Sequence, residues 1–402
     1  IDALTKAAPQ ASERVRNRAP FWASIIAGVI SQSGNLFAAI AIPWYVLATT
    51  GSAAKMGIVG FVQLVPTVIA AVAGGALADR VGHKRICVVA DIVSGVSVAL
   101  IPLLDATLGL RFWELLVLVF LGAVIDAPGG TARQAIFPDL IELGGVSLER
   151  ANGISSMVQG VTTLIVPPLA GIGIAWIGAS HVLWVDAASF FVSAALYWAV
   201  VPSFRHHHET GEPYWDQVLS GLRFLQASQT LFTITVISAA INLLTAPLYG
   251  IVLAVLAKDV YGSSKALGWM LGAQGAGALA SLLLYSARGA RWPRRRTVLI
   301  GFMLFSFPTA AVALVHHLWI AVAAMAITGV GLGPLNPVVF TILQERTPPA
   351  MRGRVFGGVT ATALVASPLG MLIAGSVVDQ FGTRPVIFAI GVLLALCASP
   401  IA

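Results

Sequence analysis

Twelve apolar runs, each about 20 residues or longer, follow one another along this chain with only short polar breaks. They lie near 21–49, 55–77, 86–104, 113–134, 148–177, 181–202, 228–257, 264–287, 297–315, 317–343, 353–379 and 384–402. Runs of this length suit a helix crossing a bilayer. In hydrocarbon every backbone N–H and C=O must be bonded within the protein, which leaves helices or a closed barrel. A barrel would show segments of about ten residues alternating in polarity, and these runs are continuous. A soluble domain carries about 25% charged residues. This chain has 10% over 402 residues and is 57% hydrophobic. Too few charges are present to coat a soluble globule. The 40 glycines fit close packing of helices in lipid. The expected fold is an all-α integral membrane protein, with twelve transmembrane helices in two six-helix bundles.

An even number of crossings puts both termini on one side. Lys6, Arg14, Arg16, Arg18, Arg80, Lys84, Arg85, Arg133, Arg150, Arg205, Arg223, Arg288, Arg291, Arg294, Arg295, Arg296, Arg346, Arg352 and Arg354 all fall on that side. Only Lys55, Arg111, Lys258, Lys265 and Arg384 fall opposite. Basic loops favour the cytoplasmic side, so both termini are expected to be cytoplasmic. The net charge of +7 then belongs at the inner leaflet among membrane lipids, and no nucleic-acid partner is expected.

Four segments follow: a cytoplasmic arm over 1–20, a six-helix bundle over 21–202, a cytoplasmic linker over 203–227 and a second bundle over 228–402. Trp215, Val218, Leu219, Leu222, Phe224 and Leu225 follow a helical rhythm of apolar and polar residues, which predicts an amphipathic helix lying on the membrane. His206, His207 and His208 precede it. With no second ligand cluster they read as a solvated loop rather than a metal site. Cys87 and Cys397 lie within apolar runs and read as buried apolar residues. The polar, basic first twenty residues do not resemble a cleavable signal peptide. The halves echo each other: Pro168-Leu169 recurs as Pro368-Leu369, and Pro128, Gln134 and Pro138 as Pro337, Gln344 and Pro348.

Three carboxylates lie within spans, all in the first half: Asp91, Asp126 and Asp186. A charge at mid-membrane costs about 2.5–3.5 kcal/mol or more, so each needs an explanation. Asp126 precedes Ala127-Pro128-Gly129-Gly130 and is the foremost candidate for a reversible proton carrier. Its alternative is to bond backbone groups freed by Pro128. Asp91 lies within reach of Arg80, Lys84 or Arg85 and reads first as a structural ion pair. Asp186, near His181, reads first as a polar contact. No Lys or Arg is expected deep in a span, with Arg133 near the inner end of the fourth.

After the second span comes Gly75-Ala76-Leu77-Ala78-Asp79-Arg80-Val81-Gly82-His83-Lys84-Arg85. Gly82 permits a tight turn, and an acid near a helix N-terminus is favourable. This stretch resembles the signature between helices 2 and 3 of the major facilitator superfamily. So do Ser33-Gly34-Asn35, Thr50-Gly51-Ser52, Pro66, Asp91, Arg133-Gln134-Ala135, Pro138-Asp139-Leu140, Ala151-Asn152 and Gly353-Arg354-Val355. The pattern is similar to the drug:proton antiporter branch, which contains macrolide-efflux pumps, Tap-type multidrug efflux pumps and the enterobactin exporter. Asn35 stands where the family often has Asp, Ile92 follows Asp91 where an Arg is common, and the family's buried span 4 Arg is missing.

The resemblance implies a bacterial inner-membrane exporter of amphipathic small molecules, working as a monomer by proton antiport and alternating access. It implies a cytoplasmic gate at Gly75, Leu77, Asp79, Arg80, Gly82, Lys84, Arg85 and Arg133, and places the cavity along spans 1, 4, 7 and 10. There the substrate candidates are Gln32, Asn35, Phe37, Trp44, Tyr45, Asn242, Tyr249 and Asn336. No cofactor is expected beyond the proton gradient. No Walker motif and no enzymatic centre are visible. A dedicated siderophore or lipid exporter is the alternative. A non-transporting receptor or scaffold is a remote one, since it would need a large soluble domain or docking tail.

Overall fold

The computed structural model describes residues 17–204, 223–289, 292–348 and 351–399, with the backbone alone for 70–81. These form twelve long helices with no strand among the described residues. They are α1 (Ala19–Thr50), α2 (Ala53–Val81), α3 (His83–Thr107), α4 (Phe112–Gly144), α5 (Leu148–Ile177) and α6 (Ala179–Val200). The second half continues with α7 (Gln229–Asp259), α8 (Ser264–Arg288), α9 (Arg294–Val312), α10 (Leu318–Arg346), α11 (Arg352–Phe381) and α12 (Thr383–Leu396). Most of the arm and of the linker, with its proposed amphipathic helix and three histidines, lies outside the described residues.

Helix ends follow local chemistry. Gly51 (φ 68°) and Gly82 (φ 96°) adopt left-handed backbone between helices, where a side chain would be strained. Ser147 caps α5, its hydroxyl accepting from the Arg150 amide at 3.3 Å. Two helices are interrupted. In α7 a single π turn, Leu248–Val252, follows Pro247. In α10 the α-helical segments Leu318–Leu332 and Leu335–Arg346 flank Gly333-Pro334. Helix α4 runs ten residues beyond its expected end, past Pro138, Asp139 and Glu142, and stops at Gly145 in left-handed conformation.

Nine of these helices are long and apolar enough to cross a membrane, among the described residues. The exceptions are α2, apolar over Ala53–Ile69, the 14-residue α12 and the arginine-headed α9. Large apolar side chains, including Trp176, Trp198, Phe307 and Leu314, point outward. Water would not favour so much exposed apolar surface, whereas lipid does. The chain is a multi-pass membrane protein.

Packing repeats between the halves. In the first, α2 packs on α4, α3 on α4 and α6, and α1 on α5. In the second, α8 packs on α10, α9 on α10 and α12, and α7 on α11. Across the halves α2 lies along α11 and α5 along α8. These pairings map onto one another when six is added to each helix number, as a two-fold relation between bundles requires. Helix α8 meets α10 where an added Cβ on Gly277 would lie 2.0 Å from the Ala326 carbonyl oxygen, an approach only glycine allows.

The halves meet at one face and part at the other. At the face opposite the first described residue, a single apolar core joins Tyr45, Val46 and Met56 to Leu248, Leu253 and Met371. At the terminal face the cores are separate. Ile86, Ile136 and Tyr197 pack within the first half, and Leu231, Leu343 and Val355 within the second. The molecule is therefore closed at the opposite face. Helix order puts the starts of α3, α5, α9 and α11, and thus most of the basic residues, at the terminal face.

Candidate functional site

Arg133 organises the interior of the first half. Helical side chains lean toward the helix N-terminus, so Arg133 extends back along α4 toward Asp126, two turns earlier on the same face. Gly129 lies between them. A Cβ there would stand 2.6 Å from the Ala90 Cβ and 3.7 Å from an Arg133 nitrogen. The absent side chain lets α3 approach and leaves room for the guanidinium. Arg133 then donates to Asp91 at 2.5 Å and to Asp126 at 3.1 Å.

These contacts correct two expectations. Asp91 pairs with Arg133, and of the described side chains neither Lys84 nor Arg85 is its partner. Arg133 itself is an interior cation whose side chain is 16% exposed, not a residue of the inner rim. The sequence position of Arg133 does not show this, because its side chain extends back along α4 toward Asp126 and across to α3. Lys84 donates instead to the Trp198 carbonyl at 2.9 Å, at the end of α6. Gly82 makes the expected turn, and Arg85 is exposed. Gly75, Leu77, Asp79 and Arg80 are described in backbone alone, within α2.

The three acids differ in setting. Asp91 is fully buried, and its second oxygen accepts from the Ser193 hydroxyl at 2.6 Å, so it ties α3, α4 and α6 together. Asp126 is 30% exposed. Asp186 is buried beside Gly34 of α1, where a Cβ would meet its carboxylate at 2.5 Å. Its local partner is Ser189, which donates to the Asp186 carbonyl at 2.7 Å. Among the described residues no cation pairs with Asp186. Asp126 and Asp186 line one crevice of about 170 Å³ with Asn35, Gln63, Thr67 and Ser94.

The second half contains a wider cavity of about 1000 Å³ between α7, α9, α10 and α11. Asn242 and Asn336 line it with Thr233, Thr360, Phe302 and Phe340. Asn242 donates to the Ser238 carbonyl at 2.9 Å, which leaves its amide oxygen toward other partners. At the terminal face Arg294 and Glu345 form a two-pronged ion pair on the rim. Amide and hydroxyl groups spaced among aromatic and aliphatic walls suit a ligand with an apolar body and few polar groups.

The other substrate candidates lie elsewhere. The Tyr45 hydroxyl donates to Asp105 at 2.6 Å, and Tyr45 is buried in the shared core. Phe37, Trp44 and Tyr249 pack against that core. The Tyr249 hydroxyl accepts from Gln274 at 2.5 Å. Gln32 is half-buried on α1 and lines neither space. Sequence reading missed Thr233, Thr360, Phe302 and Phe340, and also Gln63 and Thr67. The polar ones carry a signal in hindsight, because each is an uncharged polar residue inside an apolar run.

Comparison with known proteins places this geometry. A family model described as "Transmembrane secretion effector" matches residues 16–401. Multidrug efflux pump Tap of Mycobacterium tuberculosis is 30% identical over 383 residues, covering 94% of this chain and 91% of Tap. Its namesake from Mycolicibacterium fortuitum is 28% identical, covering 94% of each chain. Macrolide efflux protein A of Streptococcus pyogenes is 20% identical, covering 89% of each. Among solved structures, nucleoside transporter NupG superposes with a TM-score of 0.77 at 11% identity, covering 95% of this chain and 98% of its own. A bacterial homologue of the iron transporter ferroportin, in an inward-facing state, gives 0.70 at 16% identity, covering 95% and 98%. These distant likenesses concern the fold.

Proposed function

We propose that this chain, which belongs to the transmembrane secretion effector family of major facilitator transporters, exports drugs or other amphipathic small molecules by proton-coupled alternating access. The observation that carries this reading is its 30% identity to multidrug efflux pump Tap across nearly the whole of both chains. The two interior spaces supply a mechanism in keeping with it. The cavity of about 1000 Å³ in the second half takes the cargo, with Asn242 and Asn336 bonding its polar groups. The crevice in the first half takes the proton. There Asp126, partly exposed and held by one side of Arg133, exchanges protons, while Asp91 keeps the other side of the guanidinium. Asp186, buried without a cation, is a second proton station.

On this reading the terminal face is cytoplasmic, as the gathering of basic residues there favours. The structure then corresponds to a pump open toward the cytoplasm of a bacterial inner membrane. The signature from Gly75 to Arg85 closes that side when the cavity turns outward. The functional segments are the arm at 1–20, the bundles at 21–202 and 228–402, and the linker at 203–227. The protein works as a monomer, with protons as its energy source and no bound cofactor.

Purified protein in proteoliposomes tests this reading. An imposed pH gradient should drive accumulation of a labelled macrolide or a fluorescent lipophilic amine, and collapsing the gradient should stop it. Equilibration that ignores the pH gradient would remove proton coupling. No movement of either probe would remove export of amphipathic compounds.

A further inference from the structure

Helix α1 ends at Thr50 and α2 begins at Ala53, so the turn between them exposes two helix termini of opposite polarity. The last carbonyls of α1 carry partial negative charge and the first amides of α2 partial positive charge. Each meets a charge of the complementary sign, and both charges come from the other half of the molecule. The Lys258 ammonium, in the last turn of α7, donates to the Leu47 carbonyl of α1 at 2.8 Å. The Asp379 carboxylate, near the end of α11, accepts from the Ala53 amide at 2.7 Å and the Ala54 amide at 3.0 Å. It also accepts from the Ser52 hydroxyl at 2.8 Å.

We propose that Lys258 and Asp379 form a two-charge clamp on the α1–α2 turn, which holds the opposite face shut and releases when that face opens. The proposal goes beyond the transport reading and rests on its alternating access. Several features point to a releasable contact. The clamp sits where the two halves meet, beside the apolar core they share. Asp379 is exposed, so water can replace its partners when the halves separate. The nearby basic side chain does not compete for it: the Lys55 ammonium lies 5.4 Å from the centre of the Phe112 ring. The turn is short, with Gly51 in left-handed conformation and its amide bonded to the Leu47 carbonyl at 3.0 Å. A short turn gripped at both ends couples separation of the halves to the two contacts. Helices α2 and α11 run antiparallel here, since Gly57 faces Gly375 and Met371, and Gly60 faces Met371. The end of α11 therefore lies over the start of α2, and a parting of this seam lengthens the Asp379 contacts.

The test uses the full chain with Cys87→Ala and Cys397→Ala, and spin labels on Leu108→Cys and Leu314→Cys. These exposed sites lie at the ends of α3 and α9, one in each half, on the clamped face. Pulsed dipolar spectroscopy in nanodiscs reads the distance between them. Asp379→Ala and Lys258→Met should each raise the ratio of long to short distances roughly tenfold, the scale expected for losing a charge-assisted contact. Lys258→Arg should restore the parent distribution, and Ser52→Ala should produce a smaller shift in the same direction. An unchanged distribution in folded Lys258→Met would overturn the clamp, as would lower thermal stability with no change in distance. Should Asp379→Ala fail to fold, Lys258→Met and Ser52→Ala decide the matter. The labels report conformation without cargo, so failure of the clamp is distinguishable from failure of the transport reading.

Discussion

The two halves share a helix arrangement but differ in what they enclose. The first half surrounds a narrow crevice with three acids and one arginine nearby, and Asp91, Arg133 and Ser193 tie three of its helices together. The second half surrounds a cavity several times larger, walled by aromatic, aliphatic, amide and hydroxyl side chains, with the exposed Arg294, Arg295, Glu345 and Arg346 at its rim. The same difference appears in the packing. Helix α1 lies closely along α6, whereas α7 touches α12 sparsely and leaves a lipid-facing apolar groove of about 450 Å³. A duplicated fold can therefore divide its labour: one copy tightens around charge and the other loosens around volume. Buried charges need fixed partners, and varied cargo needs walls with few fixed demands.

Four substitutions test this contrast. Arg133→Ala should have the largest effect. It leaves the fully buried Asp91 carboxylate without its cation, at a cost of about 3–5 kcal/mol, visible as a lower melting temperature in detergent together with loss of transport. Asp126→Asn should separate fold from function. The Asp91–Arg133 pair stays, so stability should fall by at most about 1 kcal/mol, while pH-driven transport in proteoliposomes should disappear. Normal proton-coupled efflux by this variant would remove Asp126 from the mechanism. Asn336→Ala should act only on the cargo side. It should raise the apparent KM about 3–10-fold, the worth of one hydrogen bond, with transport still driven by the pH gradient. Equal loss of pH coupling in Asn336→Ala would erase the proposed division. Arg294→Ala should do least, because its pair with Glu345 is solvent-exposed, and melting should be unchanged within error.

Much of this was legible in the sequence. Hydropathy placed the helices: nine are apolar over a membrane-crossing length among the described residues, and α2, α9 and α12 coincide with the other apolar runs. The turn at Gly82 was legible because its conformation is local. The three interior acids stood out because charge is rare in spans. What could not be read was direction. Arg133 lies near the end of its expected span, yet its side chain doubles back to meet two acids, and hydropathy contains no such vector. Tyr45 and Asn35 lie ten residues apart on one helix, yet one is buried in the shared core and the other lines the crevice. Helical rotation and inter-helix distance decide such fates. Nothing in the local sequence marks Asp379, because its partners are more than 320 residues away.

The unequal cores at the two faces carry a thermal consequence. Parting the halves at the opposite face hydrates apolar surface from Met56, Leu253 and Met371 that is now packed away. Hydrating apolar groups raises heat capacity. The equilibrium between the two openings must then bend with temperature, and cooling weakens the grip of the packed face. A turnover rate set by that isomerisation follows a curved Arrhenius plot, even where every chemical contact with cargo is unchanged.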